Sequence, residues 1–255
     1  MDLGLTNRVA LVTGGASGIG GAICRALAAE GVRVGVGYRT SRPAADRIVA
    51  EIEASGGAAR AVEHDLDDRD SSHGAVASIV ETWGGLDILV TAAWASPGWG
   101  PPDALAEATP PERWEEQLRT NVEGTAFMVQ AALPVMRAGG WGRIVLISSG
   151  AAEDGSAGLE QYGTAKAALH GMGRSLARGV GPAGILVNVV MPGLIATERH
   201  RRTIPAPVLD GVAAQTPIRR LATEEDVAQV VVFLASAANG AVTGSEVRVS
   251  GGMRM

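Results

Sequence analysis

A phenol and an ammonium stand four residues apart in this chain, at Tyr162 and Lys166. There are two tyrosines, Tyr38 and Tyr162, and a single lysine; the other 21 of the 22 basic residues are arginine. Residues i and i+4 share one face of a helix, which makes the two groups neighbours. A compact ammonium can reach a phenol and a sugar hydroxyl together, where a planar guanidinium cannot replace it. A free phenol titrates near ~10, and an adjacent cation favours the phenolate. The pair therefore reads as a proton donor with its tuner. The alternative is a chance surface lysine beside a half-buried tyrosine, and the rest of the chain decides between them.

The elements that must position the pair are legible as alternating patterns. Val9 to Val12 is a short apolar run leading into Thr13-Gly14-Gly15-Ala16-Ser17-Gly18-Ile19-Gly20 and a helix with Ile23 and Leu27. Val32, Val34 and Val36 alternate as a second strand up to Tyr38, and Pro43 starts a second helix. Strands at 59–65 and 86–92 bracket a helix at 69–84. A long helix is expected from 111 to 136, a strand over 143–148, a helix from 160 to 179 and a strand over 185–191. Residues 194–222 read as irregular, with Pro205, Pro207 and Pro217. Thr223 begins a helix with Asp226 as its capping-box partner, and Val247 to Val249 is a last strand. Continuous apolar strands between long helices mean a parallel sheet covered on both sides. The expected fold is α/β, a single Rossmann-type doubly wound parallel sheet of about seven strands with helices on both faces. Nothing divides the chain, so 1–255 is expected to be one dinucleotide-binding and catalytic domain.

The glycine loop lies between strand and helix, where a pyrophosphate meets backbone N–H groups and the positive end of a helix dipole. No Lys-Ser/Thr follows Gly20, which excludes the phosphate loop of an NTPase. After the second strand stand Tyr38-Arg39-Thr40-Ser41-Arg42. A carboxylate there accepts from both ribose hydroxyls, whereas a guanidinium fits a 2′-phosphate. Arg39 and Thr40 therefore point to NADP(H) over NAD(H). Asp65 and Leu66 lie where an adenine edge is bonded.

Net charge is −5 and pI about 5.4, which argues against nucleic acid and anionic membranes. A lone Cys24 permits no internal disulfide and suits a reducing cytoplasm. The four histidines show no ligand spacing, so no metal is expected. No signal peptide and no apolar run long enough to cross a membrane are read, and a cytoplasmic location is expected.

With Thr13–Gly20 and Tyr162–Lys166, the chain resembles the short-chain dehydrogenase/reductase family over residues 5–255. In Asn188–Thr197 and Val242–Met253 it looks most like the 3-oxoacyl-[acyl-carrier-protein] reductase branch. The resemblance implies reduction of a carbonyl by a nicotinamide cofactor. Ser149, thirteen residues before Tyr162, matches the family's catalytic serine and polarises the carbonyl. Tyr162 matches the acid. Lys166 lowers its pKa and holds the nicotinamide ribose. Asn121 matches the active-site asparagine and holds a water beside Lys166. The cofactor set implied is Thr13, Gly14, Ser17, Gly18, Ile19, Gly20, Arg39, Thr40, Asp65, Leu66, Ala92, Ala93, Tyr162, Lys166, Pro192, Gly193, Ile195 and Thr197.

Two departures from the family pattern bear on substrate. Its fourth strand usually ends in Asn-Asn-Ala-Gly; here Thr91-Ala92-Ala93-Trp94 stands in that place. Thr91 is expected still to bond neighbouring backbone. Trp94 and Trp99, with Ala151, are expected to shape the pocket for a flat or bulky ketone, the alternative for Trp94 being simple packing under its loop. The basic residues that carrier-protein reductases present before strands five and six are replaced by Gly139-Gly140-Trp141 and Gly181-Pro182-Ala183-Gly184. Arg199, Arg201 and Arg202 read as a solvated lid. The reading is a reductase of a free small-molecule ketone, reversible on the alcohol. A carrier-protein reductase and a non-catalytic NADP(H)-binding regulator are the alternatives. Small residues Ala167, Ala168, Gly171 and Ser175 on one helix, and Gly124 and Ala131 on another, suggest close helix pairing in a homotetramer, with a dimer as the lesser form.

Overall fold

The computed structural model describes residues 2–95 and 106–253. Trp99 and the rest of the segment between lie outside the described residues. The seven strands form one sheet in the order β3-β2-β1-β4-β5-β6-β7, every neighbouring pair parallel. They are β1 (Val9–Thr13), β2 (Arg33–Tyr38), β3 (Ala58–Glu63), β4 (Ile88–Thr91), β5 (Gly142–Ile147), β6 (Ile185–Pro192) and β7 (Glu246–Val249). The order reverses between β1 and β4, and ligands of such sheets bind outside the strand C-termini at that crevice.

Strand residues alternate between two cores. Ala10, Val12, Val34, Val36, Ile88 and Val90 join one apolar cluster, and Val9, Leu11, Leu89, Ile144 and Leu146 join the other. The period of two sends successive side chains to opposite faces, so apolar residues at both parities demand cover on both. The first face packs α1 (Gly18–Ala29), α2 (Arg42–Ala54) and α10 (Glu224–Ala235). The second packs α3 (Arg69–Trp83), α5 (Gly124–Gly139) and α7 (Glu160–Val180). The fold expectation holds. The capping box at α10 is also present, with Thr223 Oγ1 accepting from Asp226 N and Asp226 Oδ2 accepting from Thr223 N.

Three local expectations change. The long helix is not continuous: α4 (Pro111–Leu118) passes through a π turn at Arg119–Glu123 before α5 begins. Such turns take up a residue where the chain needs a side chain re-aimed, and here that residue is Asn121. The supposedly irregular stretch 194–222 contains α8 (Glu198–Thr203) and α9 (Ala206–Gln215). Its prolines begin or follow helices rather than forbid them, since Pro205 immediately precedes α9. A short α6 (Ala151–Asp154) also precedes α7. Finally, Gly124 and Ala131 are buried inside the protein. A Cβ at Gly124 would lie 2.4 Å from the Leu66 carbonyl oxygen. Those two residues serve packing against the chain's own core and leave no small face on α5 for a neighbour.

Candidate active site

The loop after β1 is built for close backbone approach. Gly14 has φ 66°, and a Cβ there would lie 2.8 Å from the Ala93 backbone. Thr13 Oγ1 accepts from Ala93 N at 3.1 Å, tying the end of β1 to the segment after β4. At Gly20 a Cβ would sit 2.2 Å from the Gly14 carbonyl oxygen. Ser17, the residue before α1, is extended and makes no side-chain cap bond. The first-turn N–H groups of α1 thus keep their bonding capacity and the positive end of the dipole.

Beside this loop a cavity of about 300 Å³ is lined by Gly14, Ser17, Arg39, Thr40, Leu66, Ala93 and Trp94, among others. Arg39 is 53% exposed, with Nη1 3.9 Å from Asp65 Oδ1 and 4.0 Å from Asp67 Oδ2. Asp65 is not among the lining residues; its Oδ1 also accepts from Asp67 N at 3.1 Å. Arg42 packs 5.7 Å from the Tyr38 ring.

A second cavity of about 390 Å³ opens over the strand ends and gathers Ile19, Ala92, Trp94, Ser149, Ala151, Tyr162, Lys166, Pro192, Gly193, Ile195 and Thr197. Lys166 is buried, 6% exposed, which excludes the chance surface lysine. Its Nζ donates to the Ile147 carbonyl at 2.9 Å. Burial depresses its pKa to about 8. Tyr162 shifts the other way: burial raises the phenol, and a hydrogen bond with Ser149 opposes the rise. The expected lowering by Lys166 has no part in the shift: desolvation penalises phenolate, and the ammonium is turned to the Ile147 carbonyl. Ser149 Oγ also accepts from Ala151 N at 3.2 Å.

A second tier holds these groups. Ser148 Oγ donates to the Lys166 carbonyl at 3.0 Å and accepts from His170 Nε2 at 2.9 Å. Asn121 Oδ1 accepts from Ala95 N at 2.8 Å, while its amide donates to Ala95 O at 3.2 Å and to Gln117 Oε1 at 3.0 Å. That side chain is committed to pinning the segment that carries Trp94, which differs from the expected water-holding role beside Lys166. Thr91 also differs. Its Oγ1 is buried with no hydrogen-bond partner among the described residues, because a threonine hydroxyl lacks the reach of an asparagine amide.

Trp94 lines both cavities. Its ring meets Tyr162 edge to face with centroids 4.2 Å apart, and Lys166 Nζ lies 5.3 Å from its centroid. It is therefore packed on Tyr162 and Lys166 rather than merely under its own loop. Further walls come from Leu159, Leu194, Arg199, His200, Ile204 and Val208, within the segments 151–161 and 194–215 to which the sequence assigns pocket identity. A usable signal was Thr197 before Glu198, since Thr197 Oγ1 caps α8 by accepting from His200 N at 3.1 Å.

The residues present fit a dinucleotide. A glycine cradle that any Cβ would fill sits at an uncapped helix start, between cavities that receive the two halves. Among the described residues no helix is long and apolar enough to cross a membrane, and no cluster of His, Cys, Asp and Glu is arranged for a metal. A family model described as enoyl-(acyl carrier protein) reductase matches residues 14–254. An acetoacetyl-CoA reductase of Cupriavidus necator is 34% identical over 98% of this chain and 100% of that protein. A 3-oxoacyl-[acyl-carrier-protein] reductase of Staphylococcus aureus is 33% identical over 96% of this chain and 98% of its own length. The structure of a short-chain type dehydrogenase/reductase from Mycobacterium ulcerans superposes with TM-score 0.91 at 33% identity, covering 98% of this chain and 90% of that one. Matched to these relatives along nearly their whole length, the chain belongs to the short-chain dehydrogenase/reductase family and is an oxidoreductase acting on keto and hydroxyl groups.

Proposed function

We propose that the chain, as one domain, is an NADPH-dependent reductase of a small-molecule ketone, working in the cytoplasm as a homotetramer. The carrying observation is the joint placement of Ser149, Tyr162 and Lys166 in one cavity of about 390 Å³. A bound dihydronicotinamide supplies the hydride that the carbonyl carbon accepts. Gly14, Ser17, Gly18, Ile19 and Gly20 hold its pyrophosphate, Arg39 and Thr40 its 2′-phosphate, and Pro192 to Thr197 its nicotinamide end.

The chain's own groups do the rest. Burial keeps the Tyr162 phenol protonated at neutral pH, which is the form an acid needs. Ser149, hydrogen-bonded to Tyr162 and lining the same cavity, polarises the carbonyl oxygen that receives that proton. Lys166 faces Tyr162 across one helical turn and stabilises the phenolate left behind. Asn121 acts through position, fixing the main chain of Ala95. The walls contributed by Trp94, Leu159, Leu194, Ile204 and Val208 favour an apolar or flat ketone. A thioester-linked 3-oxo group is the second reading, supported by the activities named for the two relatives above.

The test is loss of NADPH absorbance with a panel of free ketones and a 3-oxoacyl thioester. Turnover is expected on free ketones, and a Tyr162→Phe protein is expected to lose about a thousandfold in kcat. Tight NADPH binding without turnover of any carbonyl would instead identify a non-catalytic regulator.

A further inference from the structure

We propose that His200 reads the substrate, accepting a hydrogen bond from a hydroxyl or amide N–H carried by the ketone; this rests on the ketoreductase reading above. His200 lines the same cavity as Ser149 and Tyr162, and no step assigned so far uses it. Its ring is held on one side. Nδ1 lies 2.7 Å from the Ile195 carbonyl oxygen. A carbonyl only accepts, so Nδ1 carries the proton, and in the neutral ring Nε2 is left as an acceptor. Among the described residues no hydrogen bond to Nε2 is formed.

The anchor itself is rigid. Ile195 pairs with Ala222 as an isolated bridge, and Ala196 N donates to Ala222 O at 2.9 Å. The His200 backbone N–H is tied to Thr197 Oγ1 at 3.1 Å. The imidazole is thus fixed in orientation before any substrate arrives, as a selective polar contact requires. Leu159, Leu194, Ile204 and Val208 stand beside it on the cavity wall, with Ser156, Thr197 and Arg199 as further polar lining, so a placed acceptor adds discrimination. A ligand that leaves it unpaired forfeits its hydration without replacement.

The test uses two ketones of equal shape, one bearing a hydroxyl and the other a methyl in its place. They are run on the wild-type protein, His200→Asn and His200→Gln. Asn keeps a donor near Nδ1 for the Ile195 carbonyl but has nothing at Nε2. Gln reaches the Nε2 position but gives up the anchor. Wild type is expected to favour the hydroxyketone by about tenfold in kcat/KM, and His200→Asn to lose that preference between the two ketones. His200→Gln is expected to retain part of the preference. A wild type indifferent to the hydroxyl, or His200→Asn discriminating as the wild type does, overturns the assignment while leaving the reductase reading intact. Failure of the wild type on both ketones and on the wider panel overturns that reading and this inference together.

Discussion

The indole of Trp94 meets the ring of Tyr162 edge to face, with centroids 4.2 Å apart and planes at 65°. The same indole has Lys166 Nζ 5.3 Å from its centroid and lines both cavities of the cleft. A dinucleotide that spans the cleft must pass it. In the proposed reductase Trp94 would act on cofactor and substrate at once. It covers the groups that will meet the nicotinamide ribose, and it narrows the space beside the reacting carbonyl. In Trp94→Gly, kcat/KM for a bulky ketone relative to acetone is expected to rise at least tenfold, and the NADPH dissociation constant to fall. Titration calorimetry and a two-substrate comparison check this, and unchanged relative rates would remove Trp94 from the pocket.

The proposed preference for NADPH rests on Arg39. Its guanidinium is shared by Asp65 and Asp67 at 3.9 and 4.0 Å, but it is half exposed. Exposed pairs of this kind are worth at most about 1 kcal/mol. A 2′-phosphate, with two charges and a bidentate fit, should outcompete them. Arg39→Ala is expected to weaken NADPH binding about tenfold or more and leave NADH within about twofold, measured by calorimetry. Equal losses for both cofactors would mean that Arg39 serves only its two aspartates.

Lys166 makes stability depend on pH. Its folded pKa is about 8, below the ordinary 10.5, because burial penalises the ammonium. Above pH 8 the folded state therefore binds fewer protons than the unfolded state, and stability rises with pH. The gain between pH 8 and 9 is about 1 kcal/mol at most. From pH 9 upward it is opposed by Cys24, whose burial raises the thiol to about 12. Urea melts at pH 7, 8 and 9 are expected to show the rise in the wild-type protein and to lose it in Lys166→Met. An identical rise in that variant would assign the effect elsewhere.

The buried Thr91 hydroxyl pairs with nothing among the described residues. Thr91→Val keeps the branched shape suited to β4 and removes the orphan. Thermal denaturation is expected to show stabilisation of about 1 kcal/mol. A destabilised variant would mean that the hydroxyl has a partner.

The sequence by itself determined the sheet, the phosphate cradle and the spacing of Ser149, Tyr162 and Lys166. Each is a short-range property. Apolar residues at both strand parities demand two covered faces, and four residues along a helix bring phenol and ammonium to one side. The capping box of α10 was legible for the same reason, being complete within four residues. Tertiary structure decided what depends on distant segments meeting. Asn121 bonds Ala95 across 26 residues, and Thr13 bonds Ala93 across 80. Those two bonds, with the π turn, aim Trp94 at the catalytic pair rather than at solvent. The lid shows the limit of local reading best. Its prolines suggested disorder of pattern, yet Thr197 caps a helix there and the Ile195 carbonyl fixes the His200 ring. Desolvation was equally invisible in the chain. Only assembled walls exclude the water around Tyr162 and Lys166, and that exclusion raises the phenol's pKa and lowers the ammonium's, each toward its own neutral form.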